Sequence, residues 1–528
     1  MFTILQSFHP QSQVFRLSPL VAALALLIAP VHGQTLAPVN TISASDRTTL
    51  SQSTPKPLNN FNYRFHQDHV LGTSLDVVIN TPHATDAKLA MQAIEQEISR
   101  LDQLLSVWRE DSEISTLNRN HQIQASPELF EVIAACEHWR SQTCGAFDIR
   151  LGQLISLWEQ SNQVQRPDEA TVAALLQQLD SILLDPSTRT IRTSAPVQIA
   201  PDGYAKGYII DRALSAAQQA VPGIQGILID IGGDLRVWGQ SPQQGGWQIG
   251  VRDPLVRADN ALPSQILQLN NQAIAFSGQG ARELAGQSHL LNPNTGLPLN
   301  HVEQCVVVGQ CAADADALAT ALAALPPEQG MQLIEQLLGY EAQLTSQNGE
   351  IYQTSGWHNL VNIAQTPQML NTASKASSSS WPAGYQAKLD LVIPKIQAEN
   401  YRAPYVSIWV TDSQKKLVRT LAAWGKDPKW LDSNYVWWRR YGRQMDNLDA
   451  VAKPSRQPGQ YNVVWDGKDE QGKLVNAGKY LVHIETSREH GGHSYQTFEL
   501  NVAPQGSSQT LPAQAEIGAL KLNFQRGI

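Results

Sequence analysis

The chain has 528 residues, and its 39 Lys and Arg against 47 Asp and Glu leave a formal net charge of −8 at pH 7. This length predicts roughly two to four folding units and excludes a single small domain. The basic side chains are few and scattered, which argues against a nucleic-acid-binding protein, because such a protein needs clustered Lys and Arg to displace the counterions of a polyanion.

The N-terminal segment has the pattern of a secretory signal. Arg16 precedes an apolar run of 15 residues at 17–31, which two prolines interrupt. The run is too short to span a bilayer, whereas it suits the apolar part of a signal peptide, so a membrane anchor is the less favoured interpretation. We predict a signal peptide at 1–33, a linker at 34–58, and an exported, periplasmic protein whose mature chain has no transmembrane helix.

Residues 59–363 have the pattern of a first domain that mixes helices and strands. GILIDIGGDLRVWG at 226–239 predicts a strand, a glycine turn and a second strand, and CVVVGQ at 305–310 predicts a strand that leads into a helix. No βαβ rhythm repeats, which favours an α+β fold over a doubly wound one. An amphipathic helix is predicted where apolar residues recur at spacings of three and four, namely at Ala90, Ile94, Ile98, Leu101 and Leu105.

The remainder of the chain has a different composition. A Ser-rich stretch at 364–382 predicts a linker. The region 383–503 contains short alternating segments such as PYVSIWVTD, YNVVWDG and KYLVHIETS, which predict a mostly-β domain, an immunoglobulin-like sandwich. Residues 504–528 are predicted to form a loosely ordered tail. Within the β-rich region, Glu489, His490 and His493 suggest a metal site, but a polar hairpin tip is the favoured interpretation.

The four cysteines leave two interpretations open. Cys305 and Cys311 flank a predicted strand, and at ~3.3 Å per residue such a strand separates them too far for a disulfide. Cys136 and Cys144 are close enough in sequence to pair. Four unpaired cysteines that pack as small apolar residues are an equally good interpretation.

Asp316 and Thr320 are the first candidates for a functional pair. They stand four residues apart in a predicted helix whose other positions are mostly Ala and Leu. This spacing places a carboxylate and a hydroxyl on one helix face, where both could bind a hard cation. A solvated helix face is the ordinary alternative, but such a face would carry more charge than this helix does.

Two further segments could contact a phosphate or move a proton. IAPDGYAKGYIIDRAL at 199–214 places Gly203 and Gly207 around Lys206 at a predicted helix start, where backbone N–H groups are free to bind an anion. His289 precedes the turn-forming NPNTG, and it is either an acid-base group or a structural histidine. The GGD at 232–234 and the SGQG at 277–280 match no nucleotide fingerprint and read as turns.

Eight segments of the first domain form an ordered set of motifs: LGT at 71–73, SVWREDSEISTLN at 106–118, TCGAFD at 143–148, YAKGYIID at 204–211, IDIGGDLRVWG at 229–239, SGQG at 277–280, SHLLNPNTG at 288–296 and ADALATAL at 315–322. Taken in this order, these segments resemble the ApbE-type flavin transferases, the FAD:protein FMN transferase family. The β-rich region similarly resembles a periplasmic domain of unknown function that is found with such enzymes.

The resemblance implies a reaction. FMN is transferred from FAD to a Ser or Thr hydroxyl of an exported carrier protein, AMP is released, and Mg²⁺ supports the phosphoryl transfer. The family's acceptor motif is Asp-x-x-Ser/Thr-Gly-Ala-Ser/Thr, and no such run occurs in the 528 residues, so the carrier is expected to be another protein. FAD and the carrier are therefore the expected partners.

The resemblance also implies roles for individual residues. Asp316, Thr320 and the Gly203 carbonyl are expected to bind the metal, and His289 and Asp316 are expected to act in catalysis. The sequence departs from the family pattern at Ala200, where an acidic residue is usual, and at Asn292, where Asp is common. The residues expected to line the FAD site are Leu71, Trp108, Ala146, Phe147, Asp148, Asp202, Lys206 and Leu291.

Two alternatives to the transferase remain. One is an exported protein that binds FAD, or hydrolyses it to FMN and AMP, without modifying a carrier. The other is an interaction protein in which the β-rich region is the functional part. The intact AKG and Asp-x-x-x-Thr elements favour an enzyme over the second alternative, and the altered segment at 200–203 is the feature that separates the transferase from the first.

Overall fold

The computed structural model describes most of the chain from Asn62 onwards. The predicted signal peptide, the first linker, most of the Ser-rich linker, Glu489 and His490 lie outside the described residues. The described ranges are 62–161, 166–194, 197–242, 246–256, 258–279, 283–284, 287–362, 380–396, 402–425, 432–444, 452–453, 456–488 and 491–527. No helix within these ranges is both long enough and apolar enough to cross a bilayer.

The region from 62 to 362 contains fifteen strands in its described part. Eight of them form one sheet in which every neighbouring pair is antiparallel. The strands are β1 (Asn62–Val70), β2 (Thr73–Asn80), β3 (Gln122–Gln124), β4 (Leu183–Asp185), β5 (Thr190–Arg192), β6 (Gly226–Ile231), β7 (Asp234–Gly239), β8 (Trp247–Val251), β9 (Gln265–Leu269), β10 (Ala273–Gly278), β11 (Glu283–Leu284), β12 (Gln287–Ser288), β13 (Val302–Gly309), β14 (Glu341–Ser346) and β15 (Ile351–Gln353).

The central sheet has the order β1-β2-β6-β7-β10-β13-β14-β15. Its antiparallel pairing agrees with a sequence that lacks a βαβ rhythm, because a parallel sheet needs long crossover connections. The α+β prediction is confirmed. The helices of this region are α1 (Ala84–Leu105), α2 (Glu113–Asn120), α3 (Pro127–Gln142), α4 (Gly152–Gln160), α5 (Glu169–Gln177), α6 (Asp202–Ala220), α7 (Ala312–Ala324) and α8 (Pro327–Glu335).

The two faces of the central sheet are covered differently. Helices α1, α6 and α7 pack on one face and share a large core with it. The other face is covered by the β8–β9 hairpin and by Trp357, which is fully buried. The predicted apolar stripe of α1 is confirmed, since all five of its residues are buried. Because α7 is rich in Ala, it can approach both α6 and the sheet closely.

The C-terminal region is mostly β, as predicted. Its elements are β16 (Tyr385–Ile393), β17 (Tyr405–Asp412), β18 (Leu417–Trp424), α9 (Tyr435–Arg440), β19 (Ala452–Lys453), β20 (Gly459–Trp465), β21 (Gly478–Ser487), β22 (His493–Val502), β23 (Ser507–Leu511) and β24 (Leu520–Arg526). A four-stranded sheet of order β20-β16-β24-β23 and a five-stranded sheet of order β19-β18-β17-β21-β22 share one apolar core.

The prediction of a loose tail at 504–528 is wrong. Strand β24 pairs with β16 on one side and with β23 on the other, so it is an inner strand of its sheet. Leu520, Leu522 and Phe524 alternate along β24 and are buried in the shared core. A short strand between polar loops shows few apolar residues, and here all three point to one face.

Of the two interpretations left open for the cysteines, the unpaired one is confirmed: Cys136 and Cys144 form no disulfide, and all four cysteines are free. Cys136 lies on α3 with its side chain buried in the core. Cys144 follows the end of that helix, has a left-handed backbone conformation with φ of 51°, and is exposed. The helix therefore directs one thiol inwards, and the turn directs the other outwards.

The loop between β8 and β9 connects the two regions. Asp259 N donates to Asn462 O at 2.9 Å, and Asn462 N donates to Asp259 Oδ2 at 2.9 Å. Asn260 makes the same pair of bonds to Val464, with Nδ2 donating to the carbonyl at 2.7 Å and Oδ1 accepting from the amide at 2.9 Å. Since β20 is an edge strand, these two residues pair the backbone groups that an edge leaves open.

Candidate functional site

The start of α6 is held in place by the loops before it. Asn118 of α2 binds both backbone groups of Ile199, donating to its carbonyl at 2.9 Å and accepting from its amide at 2.7 Å. Ala200 N donates to Ile149 O at 2.7 Å. Segments that are far apart in the sequence, around 118, 149 and 200, thus meet at the N-terminus of α6, which begins at Asp202.

Helix α7 is fixed against α6 by a partly buried carboxylate. Asp211 of α6 accepts hydrogen bonds from Ala312 N and Ala313 N, both at 3.0 Å. These amides belong to the first turn of α7, where a helix lacks internal acceptors. At Gly207 a Cβ atom would come within 2.3 Å of the Ala312 carbonyl, so only glycine permits this approach of the two helices.

The close approach brings Gly203, Asp316 and Thr320 together. A Cβ atom on Gly203 would lie 2.9 Å from Thr320 Oγ1 and 3.5 Å from the ring of Phe147. Asp316 Oδ2 accepts a hydrogen bond from Gly207 N at 3.3 Å. In a regular helix the Gly207 amide is the partner of the Gly203 carbonyl, so the contact with Asp316 competes for that donor.

Two residues that sequence reasoning treated as parts of turns join the same cluster. Ser277, near the end of β10, lies 3.4 Å from Thr320 through the two hydroxyl oxygens. Asp234, the first residue of β7, is 1% exposed, and its Oδ2 lies 2.5 Å from Lys206 Nζ. The GGD and SGQG motifs were the available signals, but a turn motif does not indicate which way the following side chain points.

Charge is unevenly balanced in this cluster. Asp316 and Asp234 are two buried carboxylates beside one ammonium, that of Lys206. Burial, and then the charge of Asp234, raise the pKa of Asp316 well above its usual range. Although burial opposes its charge, the carboxylates of Asp234 and Asp316 raise the pKa of Lys206 above its usual range. If both carboxylates are ionised, their negative charge exceeds that of the one ammonium, and either a proton on Asp316 or a bound cation would balance it.

The donor set fits a hard cation. Asp316, Thr320 and Gly203 offer a carboxylate, a hydroxyl and a carbonyl oxygen, which are the ligand types that Mg²⁺ and Ca²⁺ prefer. In the described part of the chain, no three His, Cys, Asp or Glu side chains converge into a metal cluster. A cation at this position would thus depend on the hydroxyl and the backbone carbonyl as well as on Asp316.

Most of the other predicted residues lie on segments that border the cluster. Leu71 occupies the turn between β1 and β2, and Thr73, the first residue of β2, lies against Gly232, two residues before Asp234. Ala146 and Phe147 are buried near the start of α6. Asp148 is paired with Arg150 at 2.5 Å. The charge of Asp202 acts on Asp316.

Trp108, His289 and Leu291 lie on two further segments. Trp108 is 64% exposed, in the loop between α1 and α2. His289 is partly buried and precedes Leu291, which packs in a small core with α4 and α5. The Asn292 side-chain oxygen accepts hydrogen bonds from the amides of residues 294 and 295, so it forms the turn that an Asp there would form.

Comparison with known proteins agrees with this architecture. The model of the ApbE family matches residues 71–344, and a model described as "Predicted periplasmic protein (DUF2271)" matches residues 386–519. The FAD:protein FMN transferase of Chlamydia muridarum is 31% identical over 257 residues, which cover 46% of this chain and 78% of that protein. The enzyme of the same name from Haemophilus influenzae is 25% identical over 264 residues, covering 46% and 75%.

Solved structures show the same likeness. The crystal structure of the ApbE protein of Thermotoga maritima superposes with a TM-score of 0.52 at 26% identity, covering 57% of this chain and 99% of that one. The flavin transferase ApbE of Vibrio cholerae superposes with a TM-score of 0.50 at 23% identity, covering 57% and 99%. This second likeness supports the fold alone.

Proposed function

The chain belongs to the ApbE family, and on this basis we propose that it is an FAD:protein FMN transferase acting on a carrier protein in the periplasm. The observation that carries the proposal is the convergence of Asp316, Thr320, Gly203 and Lys206 where α6 and α7 meet the central sheet. The predicted signal peptide and the match to a periplasmic domain support the location.

The proposed reaction is a phosphoryl transfer to an alcohol. The hydroxyl oxygen of a carrier Ser or Thr attacks the phosphorus of the FMN half of FAD and forms a new P–O bond. The P–O bond to the AMP half breaks, and AMP leaves with the electron pair. The hydroxyl proton passes to a base, for which we assign His289, while Asp316 would serve catalysis as a ligand of the metal.

Charged residues of the cluster would serve this reaction by position. The Lys206 ammonium would bind an anionic phosphate oxygen of FAD, and Asp316, Thr320 and the Gly203 carbonyl would hold Mg²⁺. When bound, Mg²⁺ would neutralise negative charge on the pyrophosphate oxygens. The residues proposed to contact the rest of FAD are Leu71, Trp108, Ala146, Phe147, Asp148, Asp202 and Leu291.

The carrier would be a separate protein. The acceptor sequence Asp-x-x-Ser/Thr-Gly-Ala-Ser/Thr does not occur among the 528 residues, so transfer within the chain has no such target. A carrier that presents this sequence on an accessible segment would place the Ser or Thr hydroxyl within reach of the FAD phosphate.

The test is a mass measurement. Purified protein, FAD and Mg²⁺ are incubated with a peptide or domain that contains the acceptor sequence, and the acceptor is expected to gain the mass of one FMN. Asp316→Ala, or removal of divalent cations with a chelator, should abolish the gain. Asp185→Ala is the matched control, because Asp185 is an exposed carboxylate at the β4–β5 hairpin, away from the cluster.

A second function would give a different result. An exported protein that binds FAD, or hydrolyses it to FMN and AMP, would bind the nucleotide but leave the acceptor mass unchanged. That outcome would replace the transferase proposal. Ala200, which stands where the family usually has an acidic residue, is the sequence feature that favours this alternative.

A further inference from the structure

Asp234 is a buried carboxylate to which the proposed reaction assigns no role. It opens β7 directly after the Gly232–Gly233 turn and is 1% exposed. Its Oδ1 accepts a hydrogen bond from Phe276 N of β10 at 2.8 Å. Its Oδ2 lies 2.5 Å from Lys206 Nζ on α6. One side chain thus joins the sheet to the helix that carries the cationic residue of the site.

Lys206 needs such a partner if it is to have a defined position. A lysine ammonium is a point charge with three donors on a flexible four-carbon stem. The side chain of Lys206 remains 30% exposed, so part of it is open to solvent. An ion pair with a carboxylate that is itself fixed by the sheet restricts the stem and leaves donors of the ammonium for a ligand.

We propose that Asp234 is a positioning residue that holds the Lys206 ammonium in place to bind an anionic phosphate oxygen of the flavin nucleotide. This inference rests on the proposed function, because it assumes that Lys206 faces FAD. Asp234 itself would not touch FAD or the reacting atoms, and would act through Lys206.

Stability alone does not explain this pair. A buried ion pair loses about as much in desolvation as it gains in attraction, and apolar residues of similar size often stabilise a fold more. Asp234 also adds a second negative charge beside the buried Asp316. A residue that worsens the local charge balance and yet fixes one ammonium is better explained by the position that it gives to that ammonium.

The test compares Asp234→Asn, Lys206→Met and the double variant in the full-length protein. Asn keeps the shape and an oxygen for Phe276 N but removes the charge that faces Lys206. FAD affinity, measured by quenching of flavin fluorescence, is expected to fall roughly 10- to 100-fold in Asp234→Asn. If Asp234 acts through Lys206, the double variant should bind FAD no more weakly than Lys206→Met alone.

Arg236→Gln is the matched control. Arg236 of β7 and Asp211 of α6 form an ion pair at 2.5 Å that joins the same two elements, and the substitution leaves the bonds of Asp211 to α7 in place. A general effect of loosening α6 from β7 would appear in both variants, whereas a positioning effect should leave FAD affinity in Arg236→Gln within about twofold of the wild type.

The outcomes separate this inference from the proposed function. Wild-type affinity in Asp234→Asn, or independent losses that multiply in the double variant, would overturn the positioning role while leaving the transferase proposal intact. Wild-type affinity in Lys206→Met would instead remove Lys206 from the FAD site. If Asp234→Asn does not fold, Asp234→Glu replaces it in the test. This variant keeps the charge but displaces the carboxylate, so a positioning role predicts weaker FAD binding, and wild-type affinity would contradict that role.

Discussion

Buried carboxylates occur in both regions of the molecule, but they are satisfied in different ways. In the β-rich region, Glu485 is fully buried and accepts hydrogen bonds from Val436 N and Trp437 N at 2.9 and 2.8 Å. Glu516 is paired with Arg488 at 2.8 Å. In the first region, Asp316 and Asp234 lie close together beside one lysine.

This difference in hydrogen-bond and ion-pair partners distinguishes buried carboxylates that stabilise the fold from those that serve a functional site. The carboxylates of the β-rich region each have their own donors, so their charge stabilises the fold around them. In the first region, two carboxyl groups share one ammonium, so ionising both of them costs free energy in the absence of a ligand. Such an imbalance, in a site built from several distant segments, is typical of a place where a cation or an anionic substrate is handled.

The largest expected contrast is between Glu485→Gln and Asp316→Asn. Glu485→Gln places an amide group against two backbone N–H donors, and we expect it to lower the free energy of unfolding by about 3 kcal/mol. Asp316→Asn removes the repulsion with Asp234, so it should leave the stability of the metal-free protein unchanged or raise it. Urea unfolding of both variants in a chelator measures this difference.

The distinction between the buried carboxylates of the two regions would be contradicted if Asp316→Asn lowered the free energy of unfolding as much as Glu485→Gln does. The carboxylate of Asp316 would then be a structural group, whatever its effect on transfer. Transfer activity of folded Glu485→Gln provides the complementary control, since it should stay close to that of the wild type.

A smaller effect is expected where the two regions meet. Asn260→Ala removes two hydrogen bonds to Val464 and exposes the edge of β20, which should cost about 1–2 kcal/mol. Calorimetry should show the unfolding of the β-rich region moving to lower temperature than that of the first region. Asn348→Ala, in the exposed β14–β15 turn, is the control, and equal shifts in both variants would argue against a specific contact.

The smallest expected effects are on the pH dependence of stability, and they have opposite signs in the two regions. Burial, and then Arg440 and Lys415, lower the pKa of His483 to about 4, so its contribution is lost as the pH falls from about 6.5 through 4. Although burial opposes it, hydrogen bonds to Asp68 and Asp76 raise the pKa of His66 to about 9. Its contribution is complete below about pH 6.5 and is lost as the pH rises through 9.

His66 is partly exposed, so its contribution should be only about 1 kcal/mol. His483 is buried, and we expect a contribution of the same order from it. Unfolding curves of His483→Gln and His66→Gln against pH, compared with the wild type, measure them separately. His483→Gln should remove part of the acid dependence and His66→Gln part of the alkaline dependence. The reverse assignment would contradict the contacts described for each ring.

Several elements could be predicted from local pattern because the pattern and the fold agree there. The stripe of α1, the hairpin around Gly232 and the strand before α7 each carry a period or a turn signal strong enough to specify the element. Asp316 and Thr320 could be placed on one face of a helix for the same reason. Strand β24 was missed because three apolar residues between polar ones are a weak signal without the partner strands.

What the sequence determined by itself was the identity of the elements and the list of chemical groups, since periodicity, glycine turns and ordered motifs are local properties. Only the tertiary structure decided which groups meet. Gly207 permits α6 to approach α7, and this approach brings Gly203 to Thr320. The sheet brings Asp234 to Lys206, and the β8–β9 loop reaches β20. These contacts depend on the packing of distant segments, which no local pattern encodes.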